Sequence, residues 1–185
     1  ALLIDALGLA YRGHFAFARN PLVATDGRPT SAVFSFLMTI VPLLDQYAPA
    51  YAAVVFDAPG RTFRDDLHAE YKGTRPDMPE EIPPQLAIIK DFCAALGLAV
   101  FEVPGVEADD VLATLARRGA HDGVDSFIVT ADKDLLQMVG AHVTVLAPSR
   151  GDMPSQEMRA AEVFAKLGVP PLAVIDYLAL VGDTA

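Results

Sequence analysis

The sequence predicts an α/β fold: a parallel sheet with helices packed on its faces. Three observations carry this. Short aliphatic and β-branched runs, at residues 2–4, 52–56, 98–103, 126–130 and 142–146, alternate with longer stretches of helical periodicity. Just over half of the 185 residues are apolar, enough to fill a sizeable core. No tract of eighteen apolar residues breaks the alternation, so no membrane-spanning helix is expected.

The first run opens directly as Ala1-Leu2-Leu3-Ile4, with no basic leader or cleavage site ahead of it. Thr30 can cap a helix whose stripe is Val33, Phe34, Leu37, Val41 and Leu44, with a kink expected at Pro42. After the second run, residues 59–84 are rich in charge and proline and would interrupt a βαβ unit. They are expected to project as a loop or helical arch. Pro83 and Pro84 suit the first turn of a helix with an apolar face of Ile89, Phe92, Cys93 and Leu96, stopped by Gly97. A further helix starts near Glu107, buries Val111, Leu112 and Leu115, and ends at Arg117, Arg118 and Gly119. Its acids lie at the N-terminal end and its bases at the C-terminal end, as the helix dipole favours. Residues 176–185 read as a helix running into Gly182-Asp183-Thr184-Ala185, an ending that looks like truncation. One cysteine, Cys93, excludes an internal disulfide and fits a reducing compartment, so a cytoplasmic location is expected.

A net charge of −10, with 24 acids against 14 Lys and Arg, argues at face value against a nucleic-acid partner. The placement of the acids matters more than their total. Asp5 follows the first strand and Asp57 the second. Glu107, Asp109 and Asp110 follow the third, and Asp132 and Asp134 the fourth. In an open parallel sheet the carboxyl ends of the strands line one crevice, so these seven acids are expected to converge. Two bare carboxylates about 4 Å apart repel by roughly 4 kcal/mol at an effective dielectric near 20. Several such pairs rival the ~5–15 kcal/mol that holds a domain together, so protons or cations must relieve them. Oxygen-only ligands select hard ions, Mg²⁺ or Mn²⁺, and seven acids are enough for two of them, the arrangement suited to in-line phosphodiester hydrolysis. Each group taken alone reads as a helix cap or turn; four groups on four strand ends together favour the metal.

The segment after the second strand supplies the complementary charge. Arg61, Phe63, Arg64, Tyr71, Lys72 and Arg75 mix cations with aromatic rings, as a DNA contact would. Lys72 and Arg75 share one face if helical and could grip a scissile phosphate, with Tyr71 or Phe63 stacking an unpaired base. The alternative is a solvated loop with ordinary surface charge. Cys93 sits on an apolar stripe and reads as core, His14, His68, His121 and His142 lack metal-ligand spacing, and no phosphate-binding glycine loop is present.

Taken in order, Leu3-Ile4-Asp5, Val54-Val55-Phe56-Asp57-Ala58, Thr62-Phe63-Arg64, Glu70-Tyr71-Lys72-Gly73-Thr74-Arg75-Pro76, Gly105-Val106-Glu107-Ala108-Asp109-Asp110, Thr130-Ala131-Asp132-Lys133-Asp134 and Leu178-Ala179-Leu180-Val181-Gly182-Asp183 resemble the 5′-nuclease domains of bacterial DNA polymerase I, in the flap endonuclease superfamily. The resemblance implies a three-layer, PIN-like parallel-sheet nuclease fold, with a helical arch inserted after the second strand. It implies one catalytic domain over 1–185, with a helix-hairpin-helix expected beyond. It assigns Asp5, Asp57, Glu107, Asp109, Asp110, Asp132, Asp134 and Asp183 to the metals, and Lys72 and Arg75 to the scissile phosphate. Tyr11 and Arg12 also match, without a role. The implied activity is a structure-selective 5′ nuclease, exonuclease and flap endonuclease, acting on DNA with a 5′ flap or end in replication and repair, with a polymerase region following in a full-length chain. A non-catalytic DNA-structure-binding module and a metal-dependent ribonuclease are the competing readings. Two departures stand out: Ala6 replaces the family's usual Gly after the first Asp, and the chain stops at Ala185, which would leave one metal site incomplete and the duplex anchor absent.

Overall fold

The computed structural model describes residues 1–68, 70, 71, 73, 77–149 and 154–182. Among them, six strands form one sheet: β1 (Leu2–Asp5), β2 (Ala52–Phe56), β3 (Ala99–Glu102), β4 (Ser126–Val129), β5 (Val143–Ala147) and β6 (Gln156–Met158). Their order in space is β3-β2-β1-β4-β5-β6, parallel throughout except for β6, which runs antiparallel to β5. The predicted strands appear within a residue or so of their expected bounds. β1 and β2 are covered on both faces, so they read as unbroken apolar runs rather than as alternation.

The helices are α1 (Ala6–Ala16), α2 (Ser31–Tyr47), α3 (Phe63–Leu67), α4 (Ile82–Ala95), α5 (Ala108–His121), α6 (Ala160–Leu167) and α7 (Val174–Val181). Successive strand side chains point to opposite faces and so divide the core in two. Leu2, Ile4, Val54 and Phe56 pack against Leu9 of α1, Phe36 and Ile40 of α2, and Ile89 and Cys93 of α4. Leu3, Val55, Ile128 and Val145 pack on the other side against Leu112 and Ala116 of α5, Val163 of α6 and Val174 of α7. This is the three-layer arrangement that the resemblance implies. No single helix among the described residues is long and apolar enough to cross a membrane.

Several local expectations need correction. Thr30 occupies the N-cap position of α2, but its side chain makes no capping bond. Instead Gln85, buried on α4, accepts from the Ala32 and Val33 amides at 2.8 and 3.3 Å, answering two of the donors that a helix start leaves open. α2 continues through Pro42 to Tyr47; Pro42 is exposed, so water can reach the carbonyl it leaves unpaired. α5 runs past Gly119 to His121, and the last helix, α7, starts at Val174, two residues before its expected start, and runs into Gly182 as expected. α1, α6 and β6 have no counterpart in the sequence reading. In α1 the glycines at positions 8 and 13 lower helix propensity and mask the pattern.

Gly13 has a packing reason. A Cβ there would lie 2.5 Å from Ser35 Cβ and 3.2 Å from Ala32 Cα, across the α1–α2 contact. Gly13→Ala is therefore expected to force the two helices apart and cost about 1–3 kcal/mol, read as a lower thermal midpoint.

Candidate metal centre

β1, β2 and β4 lie side by side, and the order of connections reverses at β1, where an open parallel sheet forms its ligand crevice. Asp5 ends β1 and caps α1. Its Oδ1 accepts from the Gly8 amide at 2.9 Å and its Oδ2 from the Thr130 hydroxyl at 2.9 Å, with only 7 % of the residue exposed. The Thr130 oxygen in turn accepts from the Asp132 amide at 3.0 Å, and Asp132 Oδ1 accepts from the Asp134 amide at 2.8 Å. Asp57, just past β2, accepts from the Ala108 amide at 2.9 Å and so caps α5 from a neighbouring strand. Glu107 and Asp110 form a capping box on the same helix, each side chain accepting from the other's backbone N–H. Charge-assisted bonds to backbone amides thus fix the acids before any ligand arrives.

The electrostatics bind five of these acids into one group. Burial pushes the Asp109 carboxyl up to about 7, and Asp5, Asp132, Asp57 and Glu107 push in the same direction. Asp5 is also raised, first by burial and further by Asp57 and Asp132, against the lowering effect of its bonds to Gly8 and Thr130. Two further expected members make specific contacts beside this group. Asp110 is held by Arg64, whose two terminal nitrogens donate to its oxygens at 2.6 and 2.8 Å. Asp134 opens a short 3₁₀ turn, Asp134–Met138, and its amide positions Asp132. Among the described residues, no three His, Cys, Asp or Glu side chains close round a single point as an ion-holding set. Asp183, Lys72 and Arg75 lie outside the described residues.

The donor chemistry nevertheless fits divalent cations. The grouped side chains offer oxygen alone, and their mutual repulsion opposes full ionisation near neutral pH unless positive charge enters. Of the basic and aromatic residues, Arg64 and Tyr71 reach this region: Arg64 as above, and the Tyr71 hydroxyl donating to Glu107 Oε2 at 3.2 Å. Phe63 packs under the Arg64 guanidinium at 4.6 Å. Arg61 instead pairs with Asp66 at 3.1 Å, both largely exposed. The sequence reading missed Gly8 and Thr130. The signal was there: a Gly three residues after a strand-end Asp, and a Thr two before Asp132, are local side chain–backbone motifs. Cys93 is core as expected, with burial raising its thiol to about 11.

Residues 1–168 match the family described as 5′-3′ exonuclease, N-terminal resolvase-like domain. The DNA polymerase I of Chloroflexus aurantiacus is 44 % identical over 187 residues, a match spanning 100 % of this chain and 20 % of that protein. A 5′-3′ exonuclease of Aquifex aeolicus is 39 % identical over 181 residues, 98 % of this chain and 61 % of that protein. The chain thus spans between a fifth and three fifths of the length of these relatives. Among solved structures, the zinc-bound T5 5′-exonuclease superposes with a TM-score of 0.73 at 21 % identity, covering 96 % of this chain and 65 % of the other. The catalytic core of Rad2 with a DNA substrate gives 0.59 at 18 %, covering 98 % and 54 %. Identities this low speak for the fold alone. The family match, running from β1 through α6, places the chain in the family of 5′-3′ exonuclease N-terminal resolvase-like domains.

Proposed function

We propose that the chain is the catalytic part of a metal-dependent 5′ nuclease that hydrolyses DNA phosphodiester bonds at 5′ ends and flaps in replication and repair. One observation carries the reading: Asp5 at the end of β1 is tied through the Thr130 hydroxyl to Asp132 past β4, Asp57 past β2 accepts from the first amide of α5, and Asp109 in that first turn is raised by burial and by Asp5, Asp132, Asp57 and Glu107. These acids, with Asp110, Asp134 and Asp183, would hold Mg²⁺ or Mn²⁺, directly or through water, and two ions match the number of acids. Bound cations would supply activated water and offset the charge that develops on phosphorus. Lys72 and Arg75 would grip the scissile phosphate, and Arg61, Phe63, Arg64 and Tyr71 belong to the segment that would meet single-stranded DNA. Asp5 serves by position: two hydrogen bonds fix both of its oxygens, so its orientation is set in advance. A cytoplasmic protein with a polymerase region beyond this part goes with the same reading.

The test is a labelled 5′-flap duplex incubated with Mg²⁺ and, separately, with chelator. Cleavage only with Mg²⁺ is expected, and cleavage that survives chelation would end the metal assignment. Asp132→Asn is expected to lower cleavage by roughly a hundredfold or more while leaving DNA binding measurable by a gel-shift assay. A variant that cuts normally removes Asp132 from the set. A protein that binds the flap yet never cuts it would be a binding module instead.

A further inference from the structure

Arg64 stands where a cation is least expected. It belongs to the insertion after β2, yet its guanidinium lies against the N-terminus of α5, the positive end of that helix. Only the acids there account for it. The fork on Asp110 is bidentate at 2.6 and 2.8 Å, and one terminal nitrogen is 3.7 Å from Glu107 Oε2. All three side chains are mostly shielded, at 30, 28 and 11 % exposure. The Phe63 ring lies 4.6 Å from the guanidinium carbon, and the Phe63 amide donates to the Gly105 carbonyl at 3.0 Å, which anchors the start of α3 to the loop before α5. Shielding, planarity and the double hydrogen bond set this pair apart from an exposed ion pair such as Arg61 with Asp66.

Glu107 connects two systems. It faces Arg64 on one side, and it is one of the acids that press on Asp109 on the other. We infer that Arg64 is a resident counter-cation and positioning residue: it holds α3 onto the N-terminus of α5 by neutralising acids whose charge a divalent cation would also use. Arg64 and the cation then oppose each other through Glu107. Linkage makes the effect reciprocal, so whatever factor Arg64 subtracts from cation affinity, the cation subtracts from the hold of Arg64. The start of the insertion is thereby tied to the state of the acidic mouth. This inference rests on the metal reading above.

The experiment is calorimetric titration of Mn²⁺ into the wild type, Arg64→Gln, Arg64→Lys and Arg61→Gln, each checked for cooperative unfolding. Arg64→Gln is expected to bind Mn²⁺ at least about fivefold more tightly than the wild type. Arg64→Lys keeps the charge and is expected to stay within about twofold of it, and Arg61→Gln, on the exposed pair, to match it. Equal or weaker binding by folded Arg64→Gln overturns the inference, as does equal tightening by Arg61→Gln. Should Arg64→Gln fail to fold, the comparison moves to the Asp110→Asn background, where adding it is again expected to tighten binding; no tightening there counts against it. Mn²⁺ binding that appears only in Arg64→Gln supports the counter-cation, whereas binding absent from both the wild type and Arg64→Gln sinks the metal reading and the inference with it.

Discussion

Asp109→Asn is expected to give a protein that is more stable than its parent in chelator and no longer cuts DNA. The Asp109 carboxyl titrates near its ordinary 3.8 when the chain is unfolded and near 7 in the fold, because burial and four neighbouring acids disfavour its charge. Between those pH values the folded chain keeps a proton that the unfolded chain has lost. Stability from this residue is thus fully present below about 4 and declines as the pH rises through 7. The difference amounts to about 4 kcal/mol at most, less whatever the partly open site screens. Asparagine carries no charge, so the thermal midpoint of the variant in chelator should exceed that of the parent at pH 8 and vary less between pH 4 and 8. Cleavage should fall by roughly a hundredfold or more with the loss of a charged oxygen in the site. A functional site that strains its own fold is a common trade. A variant less stable than its parent at pH 8, or one that still cuts, would contradict this.

The second large effect is expected of Gly8→Ala. A Cβ at this position would lie 2.2 Å from Asp5 Oδ2 and 2.9 Å from its Cγ, distances that no real Cβ tolerates. The Asp5 carboxylate cannot simply turn aside, since the Thr130 hydroxyl and the Gly8 amide hold its two oxygens. Either Asp5 leaves its rotamer or the first turn of α1 moves. Misplacing a reactive-site group by about 1 Å costs on the order of a hundredfold in rate, so cleavage should drop by that much while unfolding stays cooperative. Near-normal cutting would remove Asp5 from the centre. The Ala6 methyl, at the departure noted after Asp5, is buried in the core cluster with Leu9 and Ala10. The close approach that demands glycine occurs at position 8.

How much the sequence revealed varies with the physics. β1, β2 and β4 were legible because two-sided burial writes itself as an uninterrupted apolar run. The acids were legible because a parallel sheet brings its strand ends together whatever the intervening loops do. Charge sums could not reveal the partition among them. Asp110 and Asp109 are adjacent, yet one pairs with Arg64 and the other is pressed by four acids, a difference set by helix phase and by α3 arriving from a distant stretch of chain. The Gln85 cap of α2 was likewise hidden, since donor and acceptor are 53 residues apart. Short elements such as β6 and α3 carry too few residues for a period to emerge.

The account turns on one geometric proposal, that oxygen ligands from β1, β2, β4 and α5 share a cation-binding mouth. Diffraction from crystals soaked in Mn²⁺, with anomalous peaks located, tests it most directly. Peaks touching the carboxylates of Asp5, Asp57, Asp109 and Asp132 are the expected result. Peaks confined to other surfaces, or a mouth still empty at saturating Mn²⁺, would contradict it.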